Sequence, residues 1–270
     1  MNDQNLNELF PSLMSSSKMP VFFIGHGSPM NAIQDNPFTQ SIKAMRQTIT
    51  EIPQAILVVS AHWNTRGSYV NNSPMPKMVY DFSGFPDELY DVQYPAMGAP
   101  ELAQEISDAI PEIRTDQRWG LDHGAWSILV HMFPDAEIPV LQLSVDVNMP
   151  AQSHFKLAAE LKALRNKGVL VIASGNIVHN LKYWSPNEDE APYEWAVEFD
   201  EWVKEKITER AFEDLFNYNL TEKAANLSVP TPEHYYPMLY ALGLMDEEDE
   251  IKFTYEKVFS SISMRSFRIG

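Results

Sequence analysis

The distribution of apolar residues along the chain predicts strands that alternate with helices. Continuous runs rich in Val, Ile, Leu and Phe, typical of strands buried on both faces of a parallel sheet, span 20–25, 54–61, 138–145 and 169–173. Amphipathic or apolar segments predict helices over 37–49, 100–110, 125–133, 150–166, 193–208 and 232–243. Two further strand-like runs, 251–258 and 262–269, close the chain.

This alternation predicts an α/β fold in which helices flank a mostly parallel central sheet, with antiparallel additions near the end of the chain. No Gly/Ser linker or internal repeat divides the 270 residues. We therefore expect a flexible or loosely docked leader over 1–19 and a single domain over 20–270. The segment 64–99 is rich in Asn, Pro, Gly and aromatic residues. Long irregular segments of this kind often cover a functional site.

Charge and composition narrow the classes of function. The formal net charge of −17 argues against nucleic acid and against an anionic membrane surface as partners. The first 19 residues lack the basic start and the apolar stretch of a signal peptide, and no apolar run approaches the ~18 residues of a membrane span. These features favour a cytoplasmic enzyme. Because the chain has no cysteine, a bound metal ion would need His, Asp, Glu or water as ligands.

Three histidines lie at the carboxyl ends of predicted strands, where ligands bind in open α/β sheets. His26 follows the run 20–25, His62 follows 54–61, and His179 lies shortly after 169–173. Adjacent parallel strands end about 5 Å apart. We therefore expect His26 and His62 to share one metal ion in a site at the strand ends. His179 fits either a third ligand or a residue that transfers protons.

Glu233 and His234 offer two further ligands side by side at the start of a predicted helix. Consecutive helical residues point about 100° apart, so we expect only one of them to face the site. Glu233 would complete two histidines and a carboxylate, as in non-haem iron oxygenases. His234 would give an all-nitrogen site, which zinc favours.

His123 is a candidate for proton transfer. A histidine titrates near neutral pH, and a neighbouring carboxylate such as Asp122 can orient it. A structural contact at a boundary between loop and helix is an equally weighted alternative. His131 and His154 lie on predicted helices without a supporting motif, and we interpret them as packing or solvent-facing residues.

Five short motifs occur in order along the chain: Gly25-His26-Gly27-Ser28-Pro29, Ser60-Ala61-His62-Trp63, Asp122-His123-Gly124-Ala125-Trp126, Ala173-Ser174-Gly175-Asn176-Ile177-Val178-His179-Asn180 and Pro230-Thr231-Pro232-Glu233-His234-Tyr235. Together they resemble the motifs of the class III (LigB-type) extradiol ring-opening dioxygenases, specifically the bacterial DOPA 4,5-dioxygenase-like members. The resemblance extends over about residues 18–269.

The resemblance implies a catalytic domain of this type over 20–270. It implies that His26 and His62 hold a metal ion and that His179 and the pair Glu233-His234 complete or line the site. His123 and His179 become the candidate acid–base residues. The implied cofactor is one divalent metal ion per chain, Zn²⁺ or Fe²⁺.

The implied reaction is the opening of a catechol ring, such as that of DOPA, by O₂. Trp63, Trp126 and Tyr235 are the last residues of three of these motifs and are predicted to pack on the aromatic substrate, with ordinary core packing as an equally favoured alternative. A zinc-dependent hydrolase and a non-catalytic binding module on the same fold are the alternative functions. The sequence does not predict an oligomeric state.

Overall fold

The predicted apolar runs form one large sheet. A computed structural model describes residues 9–185, 187, 190–221 and 224–270, and the following account concerns those residues. The strands are β1 Val21–Gly25, β2 Ala55–Thr65, β3 Ser68–Asn71, β4 Ile113–Asp116, β5 Val140–Asp146, β6 Val169–Gly175, β7 Ile251–Tyr255, β8 Val258–Phe259, β9 Ile262–Ser263 and β10 Ser266–Ile269. Eight of them form a sheet in the order β4-β3-β5-β2-β6-β1-β10-β7, and β8 pairs with β9.

Helices connect the strands and cover the sheet. They are α1 Pro37–Gln47, α2 Asp87–Tyr90, α3 Pro100–Ala109, α4 His123–Met132, α5 Ala151–Glu160, α6 Glu194–Thr208, α7 Phe212–Phe216, α8 Tyr218–Thr221, α9 Ala225–Ser228 and α10 Tyr236–Gly243. Helix α1 begins where the local sequence favours a helix N-terminus. Pro37 is its first residue, and Asn36 and Thr39 cap each other's backbone N–H groups. No helix in the described part of the chain is long and apolar enough to cross a bilayer.

The sheet is parallel at its centre, with β10 antiparallel to β1 on one side and β3 antiparallel to β5 on the other, which confirms the predicted α/β class. Strands β5, β2, β6 and β1 pair in parallel, whereas β10 pairs antiparallel with β1 and β7. Alternate residues of β1 enter separate cores, Val21 and Phe23 on one face and Phe22 and Ile24 on the other. Helices α3, α5, α6 and α10 contribute to the first core, and α1 and α4 to the second.

Several element boundaries differ from those expected. Strand β2 continues to Thr65, so His62 lies inside the strand rather than after it. The helix predicted over 150–166 ends at Glu160 and continues as the 3-10 helix Leu161–Lys167. The helix predicted over 232–243 begins only at Tyr236. The short strands β3 and β4 were not predicted, because four residues carry too little alternation to stand out.

The predicted leader, 1–19, is described only in part, since 1–8 lie outside the described residues. Residues 9–19 contact the domain. Phe10 is buried in the first core. The backbone N–H groups of Ser16 and Met19 donate to the carbonyls of Asn166 and Arg165. The boundary between leader and domain stays a prediction.

His154 on α5 leads to a prediction about acid stability. Its side chain is fully buried, with Nδ1 3.1 Å from the hydroxyl of Tyr240. Burial lowers the pKa of His154 to about 4, against about 6.5 in an unfolded chain. Between these values the unfolded state binds more protons, so the free energy of unfolding falls as the pH falls. From pH 7 to pH 5 this loss is about 2 kcal/mol.

The His154→Gln variant is expected to lack that part of the pH dependence. Urea unfolding of both proteins at pH 7 and pH 5, with a chelator present, measures the difference. Equal losses of stability in the two proteins would contradict this role for His154.

Candidate functional site

Five histidines converge at the carboxyl end of the central strands. His62 belongs to β2, His26 and His179 follow β1 and β6, His123 begins α4, and His234 precedes α10. The ring centroid of His62 lies 4.9 Å from the centroid of His26, 4.9 Å from that of His234 and 3.9 Å from that of His123. The rings of His179 and His234 stack at 3.6 Å. Residues distant in sequence therefore form one imidazole cluster.

The geometric reason for expecting His26 next to His62 was wrong, although the two side chains do meet. Strands β1 and β2 are not neighbours, because β6 lies between them. Two imidazoles can meet across an intervening strand only if its residues are small. Ser174 and Gly175 occupy the end of β6, in register with Ser60 and Gly25 respectively.

Two glycines are required by the close approach of other groups. A Cβ atom on Gly175 would lie 2.2 Å from the carbonyl oxygen of His234, and the adjacent Asn176 N–H donates to that same oxygen. A Cβ atom on Gly124 would lie 2.7 Å from Ser60 Oγ and 3.0 Å from His62 Cδ2. Both glycines thus let a loop that carries a histidine approach the sheet.

The hydrogen bonds of His26 and His62 fix which ring nitrogens carry protons. Ser174 Oγ donates its one hydrogen to the carbonyl of Gly124, so it accepts from Nδ1 of His26 at 2.9 Å. Nδ1 of His62 lies 3.0 Å from Oδ2 of Asp81, a carboxylate that accepts. In neutral rings, the Nε2 atoms of His26 and His62 then both present lone pairs, and these two atoms are only 3.0 Å apart.

His234 adds a third nitrogen to this pair. Potential ligand atoms of His26, His62 and His234 all lie within 4.8 Å of one another. Nε2 of His234 is buried and has no hydrogen-bond partner in the described part of the protein. Its Nδ1 lies 3.4 Å from Oε1 of Glu233. The same Oε1 accepts from the hydroxyl of Thr231 at 2.7 Å, so Glu233 lies on the Nδ1 side of His234.

Asp81 holds two histidines with one carboxylate. Oδ2 is 3.0 Å from Nδ1 of His62, and Oδ1 is 2.9 Å from Nδ1 of His123. Oδ1 also accepts the backbone N–H of His123 at 3.1 Å. Burial acts to raise the pKa of Asp81, but hydrogen bonds from His123 and His62 outweigh it and hold this pKa below its usual range.

Sequence reasoning missed Asp81 and selected Asp122 as the partner of His123. The buried carboxylate of Asp122 instead accepts from Ser60, Trp119 and Gln142, and this bonding fixes the loop that begins α4. A signal for Asp81 was present, since it is the only acidic residue between 64 and 86.

Burial and neighbouring imidazoles favour the neutral forms of four histidines of the cluster, His26, His123, His179 and His234. Burial, together with the nearby histidines, lowers the pKa of His26 and of His234 well below the usual value. Burial likewise lowers the pKa of His179 to about 4. Burial and His62 lower the pKa of His123, and the Asp81 carboxylate opposes this fall. Neutral imidazoles are the form that binds metal ions.

The three aromatic residues predicted to bind the substrate are buried in the structure. Trp63 stacks on Trp119 with ring centroids 6.2 Å apart. The indole N–H of Trp126 donates to the carbonyl of Val79, and the hydroxyl of Tyr235 donates to the carbonyl of Leu215. Trp126 and Tyr235 are fully buried in the two hydrophobic cores, so the structure favours the core-packing alternative for them.

Phe82 is an aromatic residue that contacts the imidazole cluster, through His123. Its ring is half-buried and lies edge-on to His123, with centroids 5.6 Å apart. It also contacts the rings of Phe85, Tyr90 and Trp126. These residues, with Tyr80, form an aromatic wall beside the imidazole cluster. His131, by contrast, is a packing residue, with Nε2 2.7 Å from the carbonyl oxygen of Asn31.

Comparisons with known proteins agree with this architecture. Residues 16–265 match the family described as the catalytic LigB subunit of aromatic ring-opening dioxygenase. The chain is 46% identical over 265 residues to a 4,5-DOPA dioxygenase extradiol of Escherichia coli K12, covering 96% of this chain and 97% of the relative. It is 40% identical over 238 residues to the protein of that name from Beta vulgaris, covering 85% and 88%.

A solved structure extends the similarity to the fold. The crystal structure of an uncharacterized protein from Escherichia coli K12 matches with a TM-score of 0.81 and 43% identity, covering 94% of this chain and 100% of that one. The chain belongs to the LigB family and is an extradiol aromatic ring-opening dioxygenase. This membership favours ring opening over a zinc hydrolase or a non-catalytic binding module.

Proposed function

We propose that the chain opens the ring of DOPA or a closely related catechol with O₂, using one divalent metal ion held by His26, His62 and His234. The relatives named as DOPA dioxygenases support the substrate class. The arrangement of the imidazole nitrogens is the evidence for a metal ion, and it is the main observation behind the proposal.

The observation that carries the metal site is the close approach of unprotonated nitrogens. Lone pairs of His26 Nε2 and His62 Nε2 that face each other at 3.0 Å repel unless a positive charge lies between them. A single proton would satisfy only this pair, whereas Nε2 of His234 is also buried without a partner in the described residues. One cation shared by three imidazoles satisfies all of them.

We choose His234 over Glu233 as the third ligand. Glu233 already accepts from Thr231 and lies beside Nδ1 of His234, the arrangement in which an outer carboxylate orients a ligating imidazole. A bound Fe²⁺ would supply Lewis-acid activation of the catechol oxygens and the redox chemistry with O₂, of which Zn²⁺ would supply only the first.

His123 and His179 are the proposed catalytic residues, with different roles. Asp81 stabilises the protonated form of His123 from 2.9 Å, so His123 is better suited to accept a proton from a catechol hydroxyl. His179 stacks on His234 and, with its pKa of about 4, stays neutral at pH 7. It would orient the substrate through a hydrogen bond.

Phe82, the residue of the aromatic wall that contacts His123, is the proposed surface for the catechol ring. Removing the Phe82 ring takes away the wall residue that contacts His123, so Phe82→Ala is expected to raise the KM for DOPA about 10-fold, which is on the order of 1–2 kcal/mol. Steady-state kinetics measures this, with metal affinity expected to be unchanged. The matched variant Phe85→Ala removes a ring that contacts Phe82 rather than a histidine, and its effect should be smaller. A larger effect in Phe85→Ala would contradict the assignment.

Anaerobic reconstitution tests the proposed reaction. Metal-free protein loaded with Fe²⁺ and then given DOPA and air should consume O₂ and form a ring-opened semialdehyde product, whereas the Zn²⁺-loaded protein should not. Absence of O₂ uptake with DOPA and with simpler catechols, under conditions in which a control dioxygenase works, would refute the assigned substrate class.

A further inference from the structure

Asp81 connects two parts of the site that the proposed function keeps distinct. Its two carboxylate oxygens pair with Nδ1 of His62, a proposed metal ligand, and with Nδ1 of His123, a proposed proton-transfer residue. The two rings lie 3.9 Å apart at their centroids. One carboxylate therefore restrains both imidazoles at once.

The segment that carries Asp81 is held firmly against the loop that carries His123. Backbone hydrogen bonds run from Val79 N–H to the carbonyl of Leu121 and from Leu121 N–H to the carbonyl of Lys77, each 2.8 Å long. The indole of Trp126 also donates to the carbonyl of Val79. The position of the carboxylate thus depends on the same backbone that positions His123.

A carboxylate only accepts hydrogen bonds, so both rings must carry their proton on Nδ1. The partner of one ring nitrogen sets the state of the other. Nε2 of His62 is then free to bind a metal ion, and Nε2 of His123 is free to accept a proton. With either proton moved to Nε2, the corresponding ring would lose its proposed role.

We propose that Asp81 is a positioning residue that fixes the Nδ1–H form and the orientation of both His62 and His123, and so couples metal binding to proton transfer. This inference rests on the proposed function for the roles of the two histidines. The restraint itself follows from the contacts of Asp81 and is measurable without turnover.

The isosteric variant Asp81→Asn tests the restraint. The two Nδ1 atoms approach different oxygens of Asp81, and an amide replaces one of these acceptors by a donor. Either His62 or His123 must then move its proton to Nε2 or lose its hydrogen bond. We expect the dissociation constant for Zn²⁺ to rise about 10–100-fold. Asp87→Asn, which removes an exposed acid from the same segment, should behave as the wild type.

The tautomers can be read from ¹⁵N spectra of histidine-labelled, metal-free protein at pH 8, assigned with variants of His62 and His123. Nδ1–H on both rings is expected in the wild type, and Nε2–H on at least one ring in Asp81→Asn. Asp81→Glu keeps two accepting oxygens and should restore the wild-type pattern.

Unchanged tautomers and an unchanged Zn²⁺ dissociation constant in Asp81→Asn would overturn the positioning role. The same tautomer change in Asp81→Glu as in Asp81→Asn would also overturn it. A wild-type protein with both predicted tautomers that opens no catechol would refute the proposed function and leave the positioning role supported.

Discussion

Replacing either His26 or His62 by Ala is expected to weaken metal binding strongly and to abolish ring opening. Each substitution removes one of the two nitrogens that face each other at 3.0 Å. The metal dissociation constant should rise more than the 10–100-fold typical of an outer partner, by about 1000-fold. Metal analysis after dialysis, with a competition titration, measures the change.

Thermal unfolding provides an independent readout of the same loss. At a metal concentration 100 times the dissociation constant, binding stabilises the wild type by about 2.7 kcal/mol, which raises Tm by roughly 5–10 °C. The two variants should lose this metal-dependent rise. His131→Gln, on helix α4 outside the cluster, is the control and should keep it. Retention of metal by both His26→Ala and His62→Ala would contradict the site.

His123→Phe is expected to reduce kcat for ring opening about 100-fold or more while the metal ion is retained. Phenylalanine preserves an aromatic ring next to Phe82 but has no nitrogen to accept a proton. General acid–base residues typically contribute about 10²–10⁴-fold to the rate. Because His123 is not among the three proposed ligands, the metal dissociation constant should change less than 10-fold or so.

The ratio of these two effects distinguishes proton transfer from ligation. His179→Phe provides the comparison, since its ring stacks on His234 and its proposed role is to orient the substrate. We expect it to raise KM more than His123→Phe does. A kcat within about threefold of the wild type in His123→Phe would contradict proton transfer at this residue.

The order of strands and helices was predictable because buried parallel strands leave long apolar runs in the sequence. The positions of His26, His62 and His179 near strand ends followed from the same runs. The order of the strands within the sheet could not be predicted in the same way, because apolar runs identify strands but not their neighbours. In the structure, β6 separates β1 from β2. The small residues Ser174 and Gly175 allow His26 and His62 to meet across β6. Their small size could not be interpreted before the strand order was known.

Residues whose role depends on distant partners were the hardest to predict. Asp81 lies in a segment without regular pattern, and its two contacts, to His62 and His123, join positions far apart in sequence. Asp122 is next to His123 in sequence and was chosen for that reason, yet its carboxylate is used by Ser60, Trp119 and Gln142. Trp126 and Tyr235 belong to the motifs, but their rings lie in the hydrophobic cores.

The most direct test of the account is the position of a metal ion in crystals of the metal-loaded protein, read from an anomalous difference map. We predict one peak per chain, about 2.1 Å from the Nε2 atoms of His26, His62 and His234. A peak that contacts neither His26 nor His62, or the absence of any peak near the imidazole cluster in a protein that opens catechol rings, would contradict the account.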